Sequence, residues 1–92
     1  MLHGNIELNH NVIGNWRAVR KEAVGNSVHR YRCVVEHRNI RGYLMKAEFN
    51  VEHAYVDGAL ILASKVLAEA PRHLVGLGSE HVEEHMKRYY EN

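Results

Sequence analysis

One run, from Val28 to Val51, constrains this chain more than any other, because apolar and polar side chains alternate through it twice. In its first half Tyr31, Cys33 and Val35 alternate with Arg30, Arg32, Val34 and Glu36. In its second half Tyr43, Met45, Ala47, Phe49 and Val51 alternate with Leu44, Lys46, Glu48 and Asn50. Successive side chains on a strand point to opposite faces, so the period predicts two strands of one antiparallel sheet with one apolar face. A three-residue loop at Arg38-Asn39-Ile40 sets the expected register: Val35 opposite Tyr43, Cys33 opposite Met45 and Tyr31 opposite Ala47. The same register sets Arg32 beside Lys46, and Arg30 beside Glu48, on the other face. A slip of one residue would send Tyr43 and Met45 into water, so the facing is well specified.

Trp16 to Val24 reads as a further strand, joined to the first by a two-residue turn at Gly25-Asn26, where glycine permits positive φ. It sets Trp16 opposite Val35 and Ala18 opposite Cys33 on the core face. Arg17, Val19 and Lys21 then lie opposite Val34, Arg32 and Arg30 on the outer face. Arg20 falls opposite Tyr31, with its stem along the core edge. Residues 1–15 support two readings. Ile6, Leu8, His10 and Val12 alternate as an edge strand would, whereas Asn5, Asn9, Asn11, Gly14 and Asn15 argue for turns.

Beyond Val51 the pattern changes. Glu52 to Val56 is a connection or a first helical turn, and Asp57 is the expected cap with Gly58 just inside. Ala59 to Ala70 is apolar apart from Ser64, Lys65 and Glu69, which predicts a helix lying across the sheet. Pro71 ends it by excluding Ala70 from the α region. Leu74 to Gly78 reads as a flexible or extended connector. Ser79 is the expected cap of a last helix to Tyr90, with Val82, Met86, Tyr89 and Tyr90 on one face and i,i+4 pairs Glu83–Lys87 and Glu84–Arg88. The expected fold class is α+β. It is a three- or four-stranded antiparallel sheet packed on one long apolar helix, with a second short C-terminal helix. The organisation is a single domain over 1–92: an edge strand or arm at 1–15, a meander at 16–51, a core helix at 57–70 and a last helix at 79–90.

Ninety-two residues with 46% apolar and 25% charged content suit one soluble core. The single cysteine, Cys33, falls on the apolar face and reads as a buried structural thiol. No stretch approaches the roughly 18 apolar residues of a membrane span. Met1 to His10 lacks the basic start and apolar block of a signal peptide, so a cytoplasmic location is expected. Net charge is only +1 but unevenly spread. Residues 16–46 carry a balance of +6 and residues 47–92 one of −4. Such asymmetry concerns partners more than fold.

No catalytic constellation emerges. His81-Val82-Glu83-Glu84-His85 fits the H-x-x-E-H pattern of inverted zinc peptidases, but that family needs a third ligand far downstream, and seven residues follow His85. Eight histidines are otherwise scattered, with His29 and His37 at the two ends of one strand's core face. No serine lies in a nucleophile elbow, Gly76 and Gly78 make a lone G-x-G, and no phosphate loop occurs. The reading is therefore a non-enzyme without cofactor, metal site or small-molecule substrate.

The outer face of the sheet is the candidate site. Arg17, Lys21, Arg30, Arg32 and Lys46 gather there with Val19, Val34 and Leu44 between them and Glu48 at one end. Arginine suits bidentate contacts to phosphate or carboxylate, and exposed aliphatics exceed what a merely solvated face requires. Three antiparallel strands followed by a helix resemble the sheet-reading DNA-binding domains of plant ethylene-response factors and of some tyrosine-integrase N-termini. Trp16-Arg17-Ala18-Val19-Arg20-Lys21 is similar to their first strand, and Tyr31-Arg32-Cys33-Val34-Val35 stands where their second would. Leu44-Met45 replaces their usual third-strand Trp. That resemblance implies DNA binding. A second resemblance is one of type: a short, motif-free, sheet-plus-helix chain looks like the small inhibitors phages encode against host systems, anti-CRISPR proteins among them. It implies a host protein or ribonucleoprotein complex as partner, with direct DNA or RNA contact as the alternative.

Overall fold

The computed structural model describes residues 2–21 and 30–90. Four antiparallel strands, β1 (Leu2–Leu8), β2 (Asn11–Arg20), β3 (Arg30–Arg38) and β4 (Leu44–Glu52), stand side by side in chain order. A 3-10 turn at His53–Tyr55 leads into helix α1 (Val56–Glu69), and another at Arg72–Leu74 precedes helix α2 (Gly78–Tyr90). This is the expected α+β architecture in its four-stranded form.

The first fifteen residues resolve their own ambiguity: they hold both a strand and a turn. Asn9 and His10 have φ of 51° and 65°, the left-handed pair that a two-residue hairpin turn requires and that asparagine tolerates. The second strand therefore begins at Asn11, five residues before the expected start at Trp16. A bulge follows, since Ile6 pairs with Gly14 but Glu7 with Val12. Two glycines here serve close approach. The Trp16 indole lies across Gly4, where a Cβ would stand 2.7 Å from Nε1, and a Cβ at Gly14 would meet the Glu36 carbonyl and the His37 Cβ.

Between β2 and β3 the register is the expected one, with Trp16 opposite Val35, Ala18 opposite Cys33 and Arg20 opposite Tyr31. The Lys21 N–H donates to the Arg30 carbonyl at 2.8 Å. The Gly25-Asn26 turn lies outside the described residues. Between β3 and β4 the expected register is wrong by four residues. Val35 faces Ala47, Cys33 faces Phe49 and His37 faces Met45, while Arg30 faces Glu52 and Arg32 faces Asn50. The loop runs over residues 39–43, not 38–40, because the Asn39 side chain builds it. Its Oδ1 accepts from the N–H groups of Arg41 and Tyr43, and the Asn39 N–H donates to the Tyr43 carbonyl. Gly42 supplies the positive φ of 85°. Because four is even, no side chain changes face. Tyr43 moves out of the paired strand and is half-buried, with the Arg72 guanidinium 5.9 Å from its ring centre.

The same loop fixes α1. Asn39 Nδ2 donates to the Ala70 carbonyl and Ile40 N–H to the Ala68 carbonyl, which satisfies acceptors that a helix C-terminus leaves over. Val56, Ala59, Leu60, Ala63 and Leu67 follow i, i+3, i+4, i+7 spacing and are buried against Ala18, Cys33, Val35, Met45, Ala47 and Phe49. Alanines on both layers bring helix and sheet close. The helix begins at Val56 with Tyr55 at the cap position and no side-chain capping bond, so Asp57 is not the cap expected from the sequence. Its carboxylate stands in the first turn, where the helix dipole favours a negative charge.

Helix α2 closes the sheet's open edge. It starts at Gly78, where a Cβ would collide with the Lys46 carbonyl; the stretch expected as a flexible or extended connector is the end of a 3-10 turn at Leu74 and a turn over residues 75–77. Ser79, expected as a cap, instead accepts the Glu48 N–H at 2.9 Å on the otherwise unpaired edge of β4. Val82 and Met86 are buried, whereas Tyr89, expected on the same face, is exposed. Of the two expected ion pairs, Glu84–Arg88 forms at 2.7 Å.

Candidate binding face

Both helices pack on the face made by Ala18, Cys33, Val35, Met45, Ala47 and Phe49. The opposite face carries no element among the described residues. Alternation along β2, β3 and β4 fixes what it displays: Arg17 and Val19 from β2, Arg30, Arg32, Val34 and Glu36 from β3, Leu44, Lys46, Glu48 and Asn50 from β4. Lys21 follows directly after β2. All five cations expected on one side of the sheet are therefore on that side.

Their electrical states differ, and Glu48 decides them. Its carboxylate accepts from Arg32 Nη2 at 2.8 Å and lies 3.4 Å from Lys46 Nζ. The bond from Arg32, then that from Lys46, holds the Glu48 carboxyl below the usual carboxylate range. The true register makes this arrangement diagonal, since Glu48 is directly opposite Val34 and Arg32 opposite Asn50. The expected neighbours Arg32/Lys46 and Arg30/Glu48 do not stand opposite one another; the acid lies between two of the cations, not at one end of the patch. Arg17, Lys21 and Arg30 have no ion pair among the described residues. Arg30, at the end of its strand, also lines a cleft of about 650 Å³ between the end of β4 and α2.

The aliphatics of this face divide similarly. Val19 and Leu44 are exposed, as expected, but Val34 is only 8% exposed. It stands between Arg17 and Glu48 on the neighbouring strands, and long side chains on both flanks shut out water. The surface is thus a shallow apolar floor ringed by guanidinium and ammonium groups, with the carboxylates of Glu36, Glu48 and Glu52 among them.

Burial pushes the Cys33 thiol up to about 11, so it stays protonated and unreactive. His81 and His85 stand with ring centres 4.6 Å apart, and His85 Nδ1 donates to the His81 carbonyl. Burial first, then the neighbouring His85, keeps His81 below the ordinary histidine range. Among the described residues no group of three or more His, Cys, Asp or Glu side chains could hold a metal ion. His37, at one end of the core face of β3 as expected, is 1% exposed. No helix among the described residues is long and apolar enough to cross a membrane.

Comparison with known proteins adds no relative: no family model, no curated protein and no solved structure matches the chain.

Proposed function

We propose that this chain is a small non-catalytic inhibitor of the phage or mobile-element type, which binds a host protein or ribonucleoprotein complex through the outer face of its sheet and blocks nucleic-acid recognition by that complex. The observation that carries this reading is the composition of the face: Arg17, Lys21 and Arg30 lack ion pairs among the described residues, next to exposed Val19, with exposed Leu44 at the other end of the face. Protein interfaces favour arginine around an apolar centre. Glu48 separates this reading from simple phosphate binding. A carboxylate between Arg32 and Lys46 opposes a phosphate backbone but suits an acidic protein surface that also offers a donor to it. CRISPR surveillance complexes are the first class of partner to test.

The experiment is an affinity pull-down from nuclease-treated bacterial lysate with the wild type and with Arg17→Glu/Arg30→Glu, a pair that leaves the Arg32–Glu48 contact intact. The expected result is one stoichiometric partner retained by the wild type and lost by the variant at an unchanged melting temperature. Retention by both, or by neither, overturns the proposal. Partner capture that vanishes with nuclease, together with a gel shift at about 50 mM salt, would replace it with the DNA- or RNA-binding alternative.

A further inference from the structure

On the opposite side of the molecule, a groove of about 380 Å³ opens between the β1–β2 hairpin and α1. Ile6, Ile13 and Trp16 form one wall, Leu60 and Ala68 the other, and His37 lies among them. Its shape follows from features already described. The bulge after Ile6 turns the hairpin, Gly4 lets the indole lie flat over β1, and Gly14 lets His37 sit against the β2 backbone.

His37 is the one buried polar side chain of this lining, which also takes in exposed Asn5, Glu7 and Lys65 and half-buried Ser64. Its Nδ1 is 2.9 Å from the Arg38 carbonyl. A carbonyl can only accept, so Nδ1 carries the proton and Nε2 of the neutral ring offers a lone pair. That Nε2 is buried without a partner, the only such side-chain nitrogen or oxygen among the described residues. Buried polar atoms nearly always find partners, and one that does not asks for an explanation. The other polar side chains of the lining, Asn5, Glu7, Ser64 and Lys65, make no hydrogen bond to this nitrogen.

The geometry points to a binding site for a compact, uncharged, largely apolar small molecule that carries one hydroxyl: its ring or aliphatic body fills the groove and its O–H donates to His37 Nε2. The size is that of a modest ligand pocket, and one fixed polar contact in an apolar lining is how such pockets orient their occupants. This site is independent of the outer face, from which the sheet itself separates it.

The test titrates the isotope-labelled full chain with 2-naphthol and with 2-methoxynaphthalene, which has the same body and no donor, followed by heteronuclear NMR. Shifts are expected at the Trp16 indole N–H, the Ile13 and Leu60 methyls and Ala68. The naphthol should bind at least tenfold more tightly than its ether, a difference of about 1.4 kcal/mol. His37→Phe should erase that preference while keeping the ring's volume. Ala68→Phe, which blocks the groove and leaves His37 intact, should abolish binding of both. Equal affinity for naphthol and ether overturns the inference, as does binding that survives Ala68→Phe. Absence of naphthol binding overturns it equally.

Discussion

The two faces of the sheet are made by alternate residues of the same strands, yet they behave as different materials. On one, Ala18, Cys33, Val35, Met45, Ala47 and Phe49 are sealed beneath two helices. On the other, one residue along the chain in each case, stand Arg17, Arg32, Lys46 and Glu48, with Val19 and Leu44 still in water. The sealed face holds the molecule together by burial and close packing. The open face contributes little to stability, and its charged and aliphatic side chains are available for contact. Stability and recognition are thereby assigned to different residues, so each can be perturbed separately.

The largest expected effect is on the sealed face. Phe49→Ala, at a side chain 1% exposed, should lower unfolding free energy by about 3–5 kcal/mol in chemical denaturation, enough to threaten a domain of this size. Val19→Ala on the open face should stay within about 0.5 kcal/mol. Equal effects would break the contrast. Next comes the device that joins the layers. Asn39→Ala removes three hydrogen bonds of a buried amide, which bind the β3–β4 loop to itself and to the end of α1. A loss of about 2 kcal/mol is expected, with faster amide exchange in both the loop and the last turn of α1.

A third prediction uses pH. The Cys33 thiol titrates near 9.0 in the unfolded chain and at about 11 when folded. Between those values the unfolded state has lost a proton that the folded state keeps, so stability is full below pH 9 and falls as pH rises to about 11. Denaturation midpoints measured across that window should decline less steeply in Cys33→Val than in the wild type. Parallel slopes would mean that the thiol is not sealed. The smallest effect belongs to the open face again. Glu48→Ala should barely move the melting temperature, since its partners are solvated and salt screens them, while the patch becomes more cationic and low-salt retention on heparin rises.

Facing was legible in the sequence and register was not, for a physical reason. Alternation has a period of two, so any even slip between strands leaves every residue on its proper side. The four-residue error between β3 and β4 therefore left the core and the five cations correctly placed. What it misplaced is Glu48, set opposite Arg30 by the expected register and opposite Val34 by the true one. The missing signal was Asn39-Ile40-Arg41-Gly42, an amide that hydrogen-bonds its own loop followed by a glycine able to take positive φ. At the N-terminus, Asn9-His10 was hidden among other asparagines, since nothing local distinguishes the pair that actually turns. The buried, unpartnered Nε2 of His37 had no sequence signal, because it arises where a bulge, two glycines and a helix meet.

The direct measurement of the two-material sheet is the rate of thiol modification. In the wild type, maleimide should reach Cys33 only through global unfolding, with a rate that follows denaturant. In Val19→Cys with Cys33→Val, the new thiol should react at nearly the rate of a free peptide and show no denaturant dependence. Similar slow rates for the two would mean that the outer face is covered, and similar fast rates that the inner face is open; either contradicts the account.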